Sequence, residues 1–509
     1  MIDDPHQQLV TPLVARPGPD NVGLVLADVA AGTEVAVDTG AVPARGDIPA
    51  GHKIALKAIA RGAAVRKYAE TIGHATADIA PGDHVHLHNM GVGREPAASS
   101  ARGAAKAGWQ PPAAPTREHF LGFRRPDGRA ATRNYLAVLP ATGSSATVAR
   151  LVAQAAGAAH AGRAGLDGVV ALTHDLGRDT PDGGPGADIL RRTLHGYAAH
   201  ANIAGVLLVG LGGEAGQVES GLGAAPVEEL TIRDHGGTAA AVAEGLRRIA
   251  RLAALTARPR REPIPVSELV LGLQCGGSDA YSGLTANPTL GVAADLLVAA
   301  GGRVVLGETP EIHGAEHLLK DRAATPELAG RIDELLRWWQ EYTRRNGAAL
   351  DDNPSAGNRA GGITTIWEKS LGAVLKAGTS PLNAVVDYAE PVTAPGLTFM
   401  DTPGYDPVSA TGMVAGGANL LAFTTGRGSL FGSRPVPCVK ISTTTRLFRH
   451  MTGDVDFDAG PALSHAEQVR HGTRLFELLV DTASGRSSKS EELGFGAEEI
   501  APWRMGAVL

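Results

Sequence analysis

The chain is poor in cysteine. Cys275 and Cys438 are its only two among 509 residues, so a disulfide framework is excluded and a reducing, cytoplasmic compartment is the expectation. Basic runs are also missing. With a net charge of −6 and no sustained Lys/Arg stretch, a nucleic-acid partner is not expected. No apolar run approaches the roughly 20 residues that cross a bilayer. The start, MIDDPHQQLV, carries acids where a secretion signal needs a basic region followed by an apolar one, so no membrane partner is expected either. Aromatics amount to 4 % of the chain, a compositional drift that says little about function.

What is present is glycine, 66 residues of it, clustered in short motifs that read as tight turns. Residues 1–92 form a small β-rich region of short apolar runs such as NVGLVLADV and HKIALKAI, separated by Gly, Pro and Asp turns. Residues 93–117, rich in Gly, Ala, Ser and Pro, read as a linker. From 118 the pattern becomes strand, turn, helix. YLAVLPA, GLDGVVALTH and IAGVLLVGLG mark a first α/β domain over 118–262. A charged stretch at 247–265 leads into a second over 263–509, with strand candidates in SELVLGLQC, GGRVVLGE, GLTFMDTPG, NLLAFTTGRG and PVPCVKIS. The expected fold is α/β: a small β domain followed by two Rossmann-like regions. Open sheets of this kind bind ligands beyond the carboxyl ends of their strands, so the loops there are the places to look for chemistry.

QCGGSDAYSGLTANP (274–288) is the most informative loop. It gathers Cys275, Ser278, Asp279, Ser282, Thr285 and Asn287 after a strand, among glycines that let backbone amides approach a ligand. TGSSAT (142–147) puts Ser144 at a helix start, either as part of an anion site or as an ordinary cap. GLGGEAG (210–216) lacks the full dinucleotide spacing and reads as a tight turn. LGETPEIHGAEH offers Glu308 and Glu311 as metal ligands. Its His313 and His317 would share a face only on a helix, and a solvated helical turn is the blander alternative. HVHLH places His84, His86 and His88 on one face if it is a strand, for a metal or for solvent. Asn358, Thr425 and Arg427 suit a carboxylate, and Lys369 or Lys440 suits a general base or an electrophile. Surface salt bridges are the alternative for these cations.

These motifs together resemble the altronate/galactarate dehydratase family over nearly the whole chain. AGHKIALKAIARGAAVRKYAETIGHATADIAPGDHVHLHN is similar to that family's SAF (β-clip) domain. GRAATRN, QCGGSDAYSGLTANP, ETPEIHGAE, NPSAGNRAGGITTIWEKSLGAVLKAG, FTTGRGS and VDFDAG are similar to its large portion, on the altronate branch. The resemblance implies a hydro-lyase acting on a small hydroxy-carboxylate. A base takes the proton α to the carboxylate, the 3-hydroxyl leaves as water, and a 2-keto-3-deoxy acid results. It also implies iron or another divalent metal such as manganese.

One departure stands out. The resemblance implies cysteines where this chain has Ser144, Arg178 and Gly213, and of that set Cys275 alone remains. Two consequences compete. Arg178 replaces the metal's charge in a metal-independent dehydratase or epimerase, or a metal sits on His86, His88, Cys275, Glu308 or Glu311. His174 and Glu214 flank the lost cysteines and join Lys369, Arg178 and Lys440 as catalytic candidates. A sugar-acid-binding pseudoenzyme is the reading outside enzymes, and a homo-oligomer is compatible with every one of these.

Overall fold

The computed structural model describes residues 19–37, 40–93, 108–174, 183–212, 225–256, 260–497 and 500–505. Its N-terminal region is all β. Short strands form two three-stranded antiparallel sheets and a two-stranded ribbon, with Val22–Leu24, Lys53–Ala55 and His84–Val85 in one sheet and Ala64–Lys67, Glu70–Ala75 and Met90–Gly91 in another. Apolar side chains of this region, Val22, Val65, Ile72 and Val85 among them, are buried in the same hydrophobic core as the large α/β region.

The first α/β unit is a four-stranded parallel sheet. Its strands lie in the order Gly168–Ala171, Tyr135–Pro140, Ile203–Gly210, Val227–Thr231. Ile203–Gly210 is buried at every position, as expected of a strand covered on both faces. The charged stretch at 247–265 is no free linker. Its first half ends the helix Thr238–Thr256, whose Ile249, Leu252 and Ala253 pack on this sheet. Its last residues form the strand Glu262–Pro265, which pairs with His119–Arg124.

The second unit carries seven parallel strands in the order Leu382–Val386, Gly396–Met400, Arg303–Leu306, Val270–Cys275, Leu420–Thr425, Cys438–Ser442, Phe457–Asp458. All five strands expected here from the sequence are in it. Leu382–Val386 and Phe457–Asp458 are additions, too short or too polar to stand out as apolar runs. The chain begins in the middle, builds outward through Arg303–Leu306, and then crosses to the other side at Leu420–Thr425. The switch point therefore lies between Val270–Cys275 and Leu420–Thr425, where a parallel sheet opens a crevice at its carboxyl edge. The helix Ala286–Ala299 covers one face and is buried nearly all round, even at Asp295, whose carboxylate accepts from the backbone N–H groups of Thr379 and Ser380. The other face shares one apolar core with the first α/β unit, through Tyr135, Leu139, Met413 and Phe423. No helix among the described residues is long and apolar enough to cross a membrane.

Candidate active site at the switch point

Charged groups converge on the carboxyl edge of the seven-stranded sheet, each delivered by a different strand. Val270–Cys275 ends in Gln274 and Cys275. Arg303–Leu306 runs into Glu308 and, one short helical turn later, Glu311. The loop after Gly396–Met400 ends at Asp406, the first residue of the helix Asp406–Ala415. The helix Ile366–Val374 and the single turn after it bring Lys369 and Lys376.

The contacts are close. Lys376 Nζ lies 2.9 Å from Cys275 Sγ and 3.2 Å from Glu308 Oε2. Lys369 Nζ donates to Glu311 Oε1 at 2.7 Å and to Asn353 Oδ1 at 2.6 Å. Gln274 Nε2 donates to Glu308 Oε1 at 2.7 Å. Glu308 has φ +70°, a strained value for a side chain of its size, and is held there by its N–H donating to Thr402 Oγ1. Glycine at 276 lets the chain pass close to the Asp406 carboxyl and the Phe423 ring, both of which a Cβ there would push aside.

Burial dominates the electrostatics. Desolvation, then the charge of Glu311, pushes the Glu308 carboxyl up to about 8. Desolvation and the charge of Glu311 also raise Asp406 to about 6, and desolvation raises the Cys275 thiol to about 11. Burial works against the Lys376 charge, but Cys275 and Glu308 outweigh it and leave that ammonium above the ordinary lysine range. Cys275, Glu308 and Glu311 each offer a ligand atom within 4.8 Å of the others, and they are the one such donor group among the described residues.

A second buried cluster joins the small β region to this edge. Glu368, next to Lys369 in sequence, accepts from Lys53 at 2.8 Å, Lys67 at 2.9 Å, and the Thr364 hydroxyl and N–H. Burial opposes its charge, yet the two lysines hold it well below the ordinary carboxylate range. Between the clusters lies a narrow cavity lined by Lys67, Tyr68, Cys275, Ser278, Asp279, Ser282, Asn287 and Lys369. Its free space of about 20 Å³ holds about one water. A six-carbon acid needs this junction to widen.

The loop residues expected from the sequence thus meet Cys275 and Lys369, though not all with side chains to spare. Asp279, raised to about 6 by burial, accepts from Ser282 and Thr443. Thr285 donates to the Tyr281 and Thr443 carbonyls. Asn287 bridges Thr424 and the Gly372 carbonyl, and Asn358 Nδ2 donates to the Ser278 carbonyl. Thr425 Oγ1 is buried without a hydrogen-bond partner, against Gly277. Arg427 is exposed, its guanidinium packed over Gly357.

Other candidates lie elsewhere. Lys440 donates to the Ser429 carbonyl and sits over the Phe495 ring. Ser144 hydrogen-bonds Thr142 at the edge of the four-stranded sheet, and buried His174 follows a strand of that same sheet. Arg178, Gly213 and Glu214 lie outside the described residues. HVHLH is not a continuous strand. The strand stops at Val85, and His84, His86 and His88 group with His52, with His86 Nε2 on the Arg359 carbonyl and His52 Nε2 on that of Ala360. His313 and His317 share no helix; His317 starts one and reaches Glu70.

Sequence reasoning missed Lys376, Gln274, Asn353, Asp406, Lys53, Lys67 and Tyr68. A lone lysine in the apolar run SLGAVLKAG was the available signal for Lys376, and one in GHKIAL for Lys53.

Three family models match the chain in succession. They are the altronate/galactarate dehydratase SAF domain over residues 13–92, the second domain of D-galactarate dehydratase/altronate hydrolase over 122–256, and the D-galactarate/altronate dehydratase C-terminal domain over 266–508. The chain is 34 % identical to the altronate dehydratase of Bacillus subtilis and 35 % identical to that of Escherichia coli, over 96 % of its own length and 98 % of theirs. The chain belongs to the altronate/galactarate dehydratase family. It is also 33 % identical to the galactarate dehydratase (L-threo-forming) of Escherichia coli, over 86 % of each chain. Lys53 and Lys67 of the SAF domain meet Glu368 of the C-terminal domain, and the acid-rich cluster lies within the C-terminal domain.

Proposed function

We propose that this protein is a hydro-lyase that dehydrates a sugar acid of the altronate type to a 2-keto-3-deoxy acid. The observation that carries the reading is the buried, acid-rich cluster at the switch point, with two ammonium groups among its carboxyls. Removing a proton α to a carboxylate builds a second negative charge on the substrate, and fixed cations in a dry site stabilise it. Lys369 and Lys376 are those cations. Asp406, ionised at neutral pH, takes the α-proton. Glu308, still protonated there, gives its proton to the departing 3-hydroxyl, which leaves as water. The enol that remains tautomerises to the keto acid.

The same edge fits a divalent metal such as iron or manganese. A thiol and two carboxyls, those of Cys275, Glu308 and Glu311, lie buried within 4.8 Å of one another and would give up their protons to an ion. Bound there, the ion would polarise the substrate carboxylate as a Lewis acid. It would compete with Lys376 for Cys275 Sγ.

The test incubates the purified full chain with altronate and with galactarate, with and without Fe²⁺ or Mn²⁺, and measures the 2-keto-3-deoxy product. Product from either acid is expected. No product under any condition overturns the reading, and solvent deuterium entering the α-carbon without product would turn it toward an epimerase.

A further inference from the structure

The hairpin Ala64–Lys67 and Glu70–Ala75 of the small domain turns on two residues, Tyr68 and Ala69, with φ +62° and +67°. A two-residue turn with both φ values positive favours Asn-Gly, and a bulky aromatic in that position is an outlier. The turn is held in place from below. Asp20, itself buried, accepts from the Tyr68 N–H at 3.0 Å and the Ala69 N–H at 2.7 Å. Backbone strain that the surroundings over-determine is a feature of functional sites.

What the strain achieves is the placement of one side chain. Tyr68 leaves the small domain and lines the cavity that holds Cys275, Ser278, Ser282 and Lys369. Its ring lies against Gly283, where a Cβ would come within 4.0 Å of it. The neighbouring Lys67 is tied to Glu368, so the turn is registered against the large domain one residue from Lys369. The Tyr68 hydroxyl is buried beside the Lys67 ammonium, a donor, so no acceptor stands opposite its own O–H. A phenylalanine would fill the same space, so what the tyrosine adds is a hydroxyl held beside Lys67 at the cavity wall with its O–H free to donate.

We propose that Tyr68 is a substrate-contacting residue that the small domain lends to the dehydratase site, its hydroxyl hydrogen-bonding a hydroxyl of the bound sugar acid. This rests on the hydro-lyase reading above. The small domain is then part of the active site and sets which polyol chain it accepts.

The test compares the full-length wild type with Tyr68→Phe and Ala69→Gly, using altronate as the probe. Steady-state kinetics, calorimetric binding and thermal melting are read for each. Tyr68→Phe should lose about 10- to 100-fold in kcat/KM and in affinity, the scale of a buried hydrogen bond to a hydroxyl. Its melting midpoint should stay within about 2 °C of wild type. Ala69→Gly relaxes the turn without touching the hydroxyl and should keep kinetics within about twofold. Tyr68→Phe kinetics within twofold of wild type, or an equal loss in Ala69→Gly, overturns the inference. Altronate binding by the wild type without turnover would sink the hydro-lyase reading while still scoring Tyr68 by the ratio of affinities. No binding by the wild type sinks both.

Discussion

Glu308 and Glu368 are both fully buried, in clusters on either side of one narrow cavity, and their carboxyls move in opposite directions. Glu368 is one acid between two lysines, so the ammonium charges outweigh burial and keep it ionised. Glu308 shares its surroundings with Glu311, Asp406 and Cys275, and the ammonium groups there cannot offset both burial and the neighbouring acids. The ratio of acids to bases decides which carboxyl holds a proton. The lysine-rich cluster clamps two domains together. The acid-rich one keeps a proton on one carboxyl beside two ammonium groups, the kind of tuning seen in catalytic carboxyls.

Substitution should separate the two clusters most clearly in stability. Glu368→Gln leaves Lys53 and Lys67 buried against a neutral partner, and should cost about 3–5 kcal/mol in denaturant unfolding. Glu308→Gln replaces a carboxyl that is already protonated at neutral pH, and should leave the fold no less stable there while abolishing turnover. If the two variants destabilise equally, the contrast is broken.

The pH dependence sharpens it. In metal-free protein, Glu308 is raised from 4.5 to about 8, so the folded state holds a proton the unfolded state has released. Its contribution is complete below about pH 4.5 and is lost as pH rises toward 8. Glu368 is lowered, so its contribution is present above about pH 4.5 and is lost as pH falls below it. Glu308→Gln should therefore flatten the fall in stability between about pH 5 and 8, and Glu368→Gln should flatten only the acid side. The smallest effect is expected at Lys440, which faces a carbonyl and an aromatic ring rather than the cavity. Lys440→Met should leave kcat/KM per folded molecule within about threefold, because no transition-state contact is removed.

The architecture was largely legible. Strands such as YLAVLP and LLAFTT are apolar runs stopped by polar or glycine turns, and local pattern alone marks them. Cys275, Glu308, Glu311 and Lys369 were legible for the same reason, since each follows a recognisable strand or a motif with turn chemistry. Lys53, Lys67 and Tyr68 were not. Their role depends on contacts across about 300 residues of chain, and nothing in a small β domain's periodicity says what it docks against. Lys376 was hidden by its apolar neighbours, which bury it. The histidine cluster shows the opposite error. HVHLH looks like a strand face, but the chain turns after Val85 and sends His86 to a backbone carbonyl of the large domain.

If the acid-rich cluster performs the elimination, Lys376 is its obligatory cation. Turnover of altronate by Lys376→Met, measured beside wild type and with folding checked by melting, tests it most directly. Lys376→Met should lose about 10²–10³-fold or more in kcat, the scale of one preorganised charge-stabilising group, in a protein that still folds. A folded Lys376→Met enzyme that turns over altronate within threefold of wild type would contradict it.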